Sequence, residues 1–411
     1  MHNPRIVVAA LLLVTVVSAA GRTFAQDWPQ WRGPGCDGKA TGFTAPQTWP
    51  KALIQKWKTP IGLGDTTPAL VGEKLYAFGR QEADEVVTCI DAATGKTVWQ
   101  ESYPAQFVVT GPSARHPGPR SSPAVADGKV CTLGVGGILS CLDAATGKVV
   151  WRKQSAADYL DIQARFESST SPLVVDGLCI VYVGGKGKGA MIAFDLAGGQ
   201  AKWKCEGEGP AASSPALMTA DGVRQVVTLS EKQLMGVALA DGKLLWQTPF
   251  QANRGNNTTP VIDGPVVFIT GENKGTRSMK IEKQGGQFAA RELWANSDTR
   301  FSARFTTPIL RDGLLFGNAN GKFFCLNART GAVNWLDTEN RGNSAAIVDA
   351  GPVLFATATN GELAACQPDG KQYTELLRFK VSETETWAHP VIAGKRIFVR
   401  DRDAVTMWGM E

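Results

Sequence analysis

The sequence predicts an all-β protein: an eight-bladed β-propeller of four-stranded blades, the last blade closed by an N-terminal strand. Three observations predict it. A tryptophan recurs at a near-constant interval, and a hydroxyl residue followed by proline recurs between those tryptophans. Glycine is also in excess, with 45 among 411 residues, or about 11% against an average near 7%. Evenly spread glycine serves tight turns between short strands, and one recurring aromatic marks one packing residue per unit.

Two segments are nearly identical. Cys89-Ile90-Asp91-Ala92-Ala93-Thr94-Gly95-Lys96-Thr97-Val98-Trp99 is repeated as Cys141-Leu142-Asp143-Ala144-Ala145-Thr146-Gly147-Lys148-Val149-Val150-Trp151. Weaker copies lead to Trp203, Trp246, Trp294 and Trp335, and Trp57 precedes the series. Phe379 takes the eighth place. The intervals are 42, 52, 52, 43, 48, 41 and 44 residues. Between these anchors lie Thr67-Pro68, Ser122-Pro123, Ser171-Pro172, Ser214-Pro215, Thr259-Pro260 and Thr307-Pro308, with Ser344-Ala345 and His389-Pro390 as variants.

Each unit reads as four strands. In residues 121–153 the spacing predicts strands over 122–126, 129–134, 138–143 and 148–153, with turns at Asp127-Gly128, Gly136-Gly137 and Thr146-Gly147. The proline falls in the first strand of each unit. Lacking an N–H, it belongs on an edge, which places that strand on the inner rim. The tryptophan then lies on the outermost strand, where it can pack on the neighbouring unit beside a Thr-Gly turn. The last unit has only three strands of its own, and residues 52–59 have no unit, so they are expected to complete it. This divides the chain into a leader at 1–25, an arm at 26–50 and one propeller over 51–411.

The leader has Arg5, an apolar run from Ile6 to Ala20 and a small-residue cleavage site at Thr23-Phe24-Ala25. The run is short of the roughly 20 residues a membrane span needs, and no Cys follows it closely. The expectation is a monomeric periplasmic or secreted protein, with no membrane span once the leader is removed. Removing Arg5 and Arg22 leaves 41 basic against 38 acidic residues, too weak a field for nucleic acid. His116 and His389 are the histidines outside the leader, which argues against a His-built metal site. No two of the eight cysteines are adjacent or in CxxC spacing. Cys89, Cys141, Cys325 and Cys366 fall at equivalent third-strand positions and read as packing residues. A Cys131–Cys141 bridge within one hairpin is left open. Gly184 to Gly189 mimics a phosphate loop, but without a following helix it reads as a hairpin.

The repeats resemble those of the PQQ-like family, best at 91–99 and 143–151. The arm Asp27-Trp28-Pro29-Gln30-Trp31-Arg32-Gly33-Pro34 is similar to the start of its secreted bacterial members. The resemblance implies one of two activities. In one branch, quinoprotein dehydrogenases hold pyrroloquinoline quinone and Ca²⁺ over the channel. The other is a non-catalytic outer-membrane assembly lipoprotein. The dehydrogenase branch implies a vicinal Cys-Cys disulfide and long insertions, neither of which is present here. The lipid-bearing Cys of the other branch is missing too. The favoured reading is a non-catalytic envelope scaffold with no cofactor, binding a protein partner or a small planar or anionic ligand. The alternative is a pyrroloquinoline-quinone-dependent dehydrogenase.

The candidate ligand residues are Trp387, which anchors no blade, and His389, which breaks the hydroxyl series. Together they could stack on and bond a planar ligand. Arg120, Arg304, Arg341 and Asp65 lie near entries to first strands, and converging arginines suit an anion. The connections 101–120 and 152–170 are the longest, and Tyr103, Phe107, Tyr159 and Phe166 there mark an expected partner surface. The hydroxyls before the prolines are expected to satisfy strand-end backbone groups.

Overall fold

Eight antiparallel four-stranded sheets form among the described residues. The structure, a computed structural model, describes residues 26–105, 114–154 and 169–410; the leader lies outside them. Blade 1 consists of Ala69–Val71, Lys74–Gln81, Asp84–Asp91 and Thr97–Pro104. Blade 2 consists of Ala124–Ala126, Lys129–Leu133, Ile138–Asp143 and Val149–Gln154, close to the strands the spacing predicts. Blades 3 to 7 begin at Leu173–Val175, Ala216–Ala220, Val261–Asp263, Ile309–Arg311 and Ala345–Asp349. Blade 8 is Val391–Ala393, Arg396–Arg400, Ala404–Gly409 and, across the seam, Ile54–Pro60, which pairs antiparallel with Ala404–Gly409. The ring therefore closes as expected.

The turns follow from the repeat. At Asp127-Gly128 both residues have positive φ, 48° and 69°, the conformation of a tight hairpin turn. After the third strand Asp143 Oδ1 accepts from the Thr146 amide at 2.8 Å and its hydroxyl at 2.7 Å, and Gly147 closes the turn at φ 75°. These Thr146 bonds hold the Asp143 carboxyl below its ordinary range.

Each Thr-Gly turn seats a tryptophan of the preceding blade. The Trp99 ring lies over Gly147, so close that a Cβ there would sit 2.6 Å from it, and Trp99 Nε1 donates to the Ala144 carbonyl at 3.1 Å. Trp57 docks in the same way on Gly95 and Ala92, across the seam. Trp246 departs from the rule because blade 5 replaces the turn with a long hairpin; its Nε1 donates instead to Gln225 Oε1, within its own blade, at 2.6 Å. Phe379 stands where blade 8 has a chain junction in place of a turn, which explains the missing tryptophan. Cys89, Cys141, Cys325 and Cys366 are buried. Cys131 and Cys141 face each other across their hairpin as free thiols. Gly185 and Lys188 end the two strands of a hairpin, as read.

The hydroxyl series links neighbouring blades at the inner rim. The His389 amide donates to Thr67 Oγ1 (3.0 Å), the Thr67 amide to Ser122 Oγ (2.9 Å) and the Ser122 amide to Ser171 Oγ (3.0 Å). Ser171 donates likewise to Ser214 (2.9 Å), and Thr259 to Thr307 (3.0 Å). The expected backbone role is met, but the hydroxyls of Thr67, Ser122, Ser171, Ser214 and Thr307 each serve the neighbouring blade.

Candidate functional site

First strands leave one edge facing the channel, and that edge must find hydrogen-bond partners. The arm supplies them. Trp28 exchanges backbone bonds with Leu70 of blade 1 at 2.8 and 2.9 Å, the Val125 amide of blade 2 donates to the Pro29 carbonyl at 2.8 Å, and the Ala40 amide donates to the Asp349 carbonyl of blade 7 at 2.7 Å. Arg32, 1% exposed, donates to the Thr307 carbonyl at 3.3 Å and to the Pro308 and Asp37 carbonyls at 3.0 Å each. Burial lowers its pKa to about 10, yet it stays charged. The arm thus plugs the channel. The sequence marks off the arm at 26–50 without giving it a position relative to the ring. The arm's tryptophans Trp28, Trp31 and Trp49, which fall in no blade register, were the available signal.

With the channel plugged, a cup of about 620 Å³ remains above it, on the side where outer strands connect to the next inner strand. Trp31 is its floor, fixed by a bond from Nε1 to Thr259 Oγ1 at 2.9 Å. The wall has a simple register: it takes the residue two before the hydroxyl position of each blade. That register supplies Asp65, Arg120 and Ser169 from blades 1 to 3, Ala212, Asn257 and Phe305 from blades 4 to 6, and Trp387 from blade 8. Blade 7 has Gly342 there and contributes no side chain. Arg115, His116, Arg254 and Arg304 complete the charged lining.

The structure therefore gathers Asp65, Arg120, Arg304 and Trp387, and leaves two predicted residues out. His389 is 4% exposed and sits behind Trp31, edge to face at 4.8 Å. Burial pushes its pKa down to about 3, so it is a neutral packing residue. Arg341 points away from the cup into a cluster with Asp337 and Glu375, its guanidinium 4.4 Å from the Tyr373 ring centre. On the expected partner surface, Tyr103 is 4% exposed and donates to Glu85 Oε2 at 2.6 Å, which makes it a packing residue. Phe107, Tyr159 and Phe166 lie outside the described residues. Ser169, Asn257, Phe305 and Arg254 were missed, although the two-residue offset from the hydroxyl series would have found the first three.

His116 links the predicted residues. Its Nδ1 is 2.9 Å from Asp65 Oδ2 and its Nε2 3.9 Å from Glu385 Oε2. The Asp65 bond raises its pKa. Arg120 Nη2 donates to the His116 carbonyl at 2.6 Å. Trp387 stands edge-on between His116 (5.7 Å) and Phe305 (5.4 Å), and Arg304 covers the Phe305 ring at 4.5 Å. Glu272 Oε2 lies 3.8 Å from both Arg254 Nε and Arg304 Nε, behind the wall.

A family model described as outer membrane protein assembly factor BamB matches residues 83–337, more than half of the chain. The chain belongs to this family. BamB of Yersinia pestis is 28% identical over 243 residues, covering 57% of this chain and 60% of that protein. BamB of Xanthomonas campestris pv. campestris is 30% identical over 225 residues, covering 54% and 51%. The chain thus spans between half and two thirds of the length of these curated relatives. Among solved structures, BamB from Moraxella catarrhalis matches with a TM-score of 0.63 and 14% identity, covering 88% of this chain and 98% of that one. Quinohemoprotein alcohol dehydrogenase from Comamonas testosteroni matches at 0.67 and 15% identity, covering 95% and 81%. At such identities both likenesses are of fold. No helix among the described residues is long and apolar enough to cross a membrane.

The cup does not fit the quinone with Ca²⁺. Calcium takes 6–8 oxygen ligands, rich in carboxylate. Among the described residues Asp65 is the one carboxylate lining the wall, already bonded to His116, and four arginines line it with Asp65. Among the described residues no group of three or more His, Cys, Asp or Glu is placed to hold a metal.

Proposed function

We propose that this protein is an exported, non-catalytic binding scaffold of the bacterial cell envelope, working as a periplasmic or secreted monomer, with the cup as its binding site. The observation that carries this reading is the plugged channel: the arm turns an open pore into a one-mouthed cup of fixed shape. Rigid rings that present a preformed concavity suit binding, since little ordering entropy is lost on association. The leader pattern at 1–25 supports export, and the BamB relatives, named as outer-membrane protein assembly factors, support work in the envelope. The described ends of the connections 101–120 and 152–170 reach the wall at Arg115, His116, Arg120 and Ser169, so a partner seated on the cup would meet these residues.

The test is photo-crosslinking in cells from a benzoyl-phenylalanine placed at Phe305, on the cup wall, and at Val333, exposed on an outer strand. A discrete adduct, protein or small molecule, from position 305 alone is expected. Equal adducts from both positions, or none from 305, overturn the reading.

A further inference from the structure

The charges of the cup are arranged in two groups. Arg115 and Arg120 stand in the connection entering blade 2. Arg254 enters blade 5 and Arg304 enters blade 6. In an eight-bladed ring blades 2 and 6 are diametrically opposite, so Arg304 enters across the axis from Arg115 and Arg120, with Arg254 one blade to its side. Between them the floor is the Trp31 indole, with Phe305 and Trp387 on the sides. Among the described residues the carboxylates around the cup are engaged. Asp65 is held by His116, Glu385 accepts from Trp387 Nε1 at 3.0 Å, and Glu272 Oε2 pairs from behind the wall with both far arginines at 3.8 Å each, which leaves that pair with a net positive charge of one. Guanidinium pairs bind carboxylate or phosphate oxygens in a directional fork, and an indole face binds an apolar or aromatic body. A cavity of about 620 Å³ is in the range that encloses a small organic molecule.

We propose that the cup binds a small organic dianion, with one anionic group at each arginine pair and its apolar middle over Trp31. This rests on the cup being the binding site and adds the chemistry of what it binds.

The test titrates the full mature chain with naphthalene-2,6-dicarboxylate, 2-naphthoate and a hexa-aspartate peptide, followed by calorimetry. The dicarboxylate is expected to bind at least ten-fold more tightly than the monocarboxylate, and raising the salt should weaken it more steeply. Arg115→Gln and Arg254→Gln should each bring the dicarboxylate down to about the affinity of the monocarboxylate, with circular dichroism and melting temperature unchanged. Equal affinity of the two naphthalenes for the unmodified protein overturns the proposal without reference to any variant. Binding of the peptide but of neither naphthalene also overturns it, in favour of an acidic protein segment. In that case a discrete crosslink from position 305 would leave the scaffold reading standing, whereas absence of that crosslink would remove both.

Discussion

The indole Nε1 of Trp31 donates a 2.9 Å hydrogen bond to Oγ1 of Thr259, 228 residues further along the chain. Thr259 also donates its amide to Thr307 Oγ1, at 3.0 Å, on the rim of the next blade. One residue thus belongs both to the hydrogen-bond chain that joins blades and to the anchor of the plug. The floor of the cup is therefore only as firm as the arm's attachment to the ring.

Arg32 is the strongest point of that attachment. Replacing it with Met keeps the volume but leaves the Thr307, Pro308 and Asp37 carbonyls without their donor. Hydrogen bonds to a charged group are worth about 1.5–3 kcal/mol each. Arg32→Met should cost roughly 3 kcal/mol in urea unfolding and expose residues 27–40 to limited proteolysis. An unchanged cleavage pattern would show that the arm is held elsewhere.

Docking of each tryptophan on the next blade can be isolated with two glycines. Gly147 and Gly128 both have positive φ, 75° and 69°, but an added Cβ meets the Trp99 ring at 2.6 Å in the first and nothing within 4 Å in the second. Gly128→Ala should cost about 1 kcal/mol, for the left-handed backbone alone. Gly147→Ala adds displacement of the ring, about 1–3 kcal/mol more, and should shift tryptophan fluorescence to the red. Equal costs would mean that the ring does not depend on the turn.

The two mature histidines should titrate in opposite senses. His389 has a pKa of about 3 in the fold against 6.5 ordinarily, so between those values the unfolded chain binds the extra proton. Stability is thus lost as pH falls through that window, by up to about 1.4 kcal/mol per pH unit. For His116, raised by Asp65, the contribution is complete below the ordinary histidine pKa and is lost as pH rises through its elevated value. NMR of the imidazole protons should show His116 titrating late and His389 remaining neutral at pH 5. In His389→Phe the acid-side slope of stability should be reduced by one proton.

The seam of the ring can be weakened by one hydroxyl. Thr67 is buried and its Oγ1 accepts the His389 amide at 3.0 Å, joining blade 8 to blade 1. Thr67→Val keeps the shape and orphans that donor, at a cost of about 1–3 kcal/mol. The exposed Thr97→Val on an outer strand should stay near zero. Thermal unfolding of the pair distinguishes a working rim bond from an incidental one.

What the sequence by itself determined is the repeat and everything that repeats with it. The Asp143-Thr146-Gly147 turn, Trp99 on its outer strand and the hydroxyl-proline rim are local devices, each specified within a few residues and repeated at intervals of 41 to 52 residues. The closing strand at Ile54–Pro60 follows from the count, since the last unit lacks a fourth strand and this segment has no unit. Arg120 and Asp65 were legible as site candidates because they lie near entries to first strands, and Trp387 because it is a tryptophan that anchors no blade. Where the arm lies was decided only by the tertiary structure, because Trp28, Trp31 and Arg32 find their partners in blades that come together only when the ring closes. The same reason sends Arg341 outward to Glu375 and buries His389 behind Trp31. A side chain's direction at an irregular strand entry depends on what already fills the channel, and here the protein's own N-terminal segment fills it.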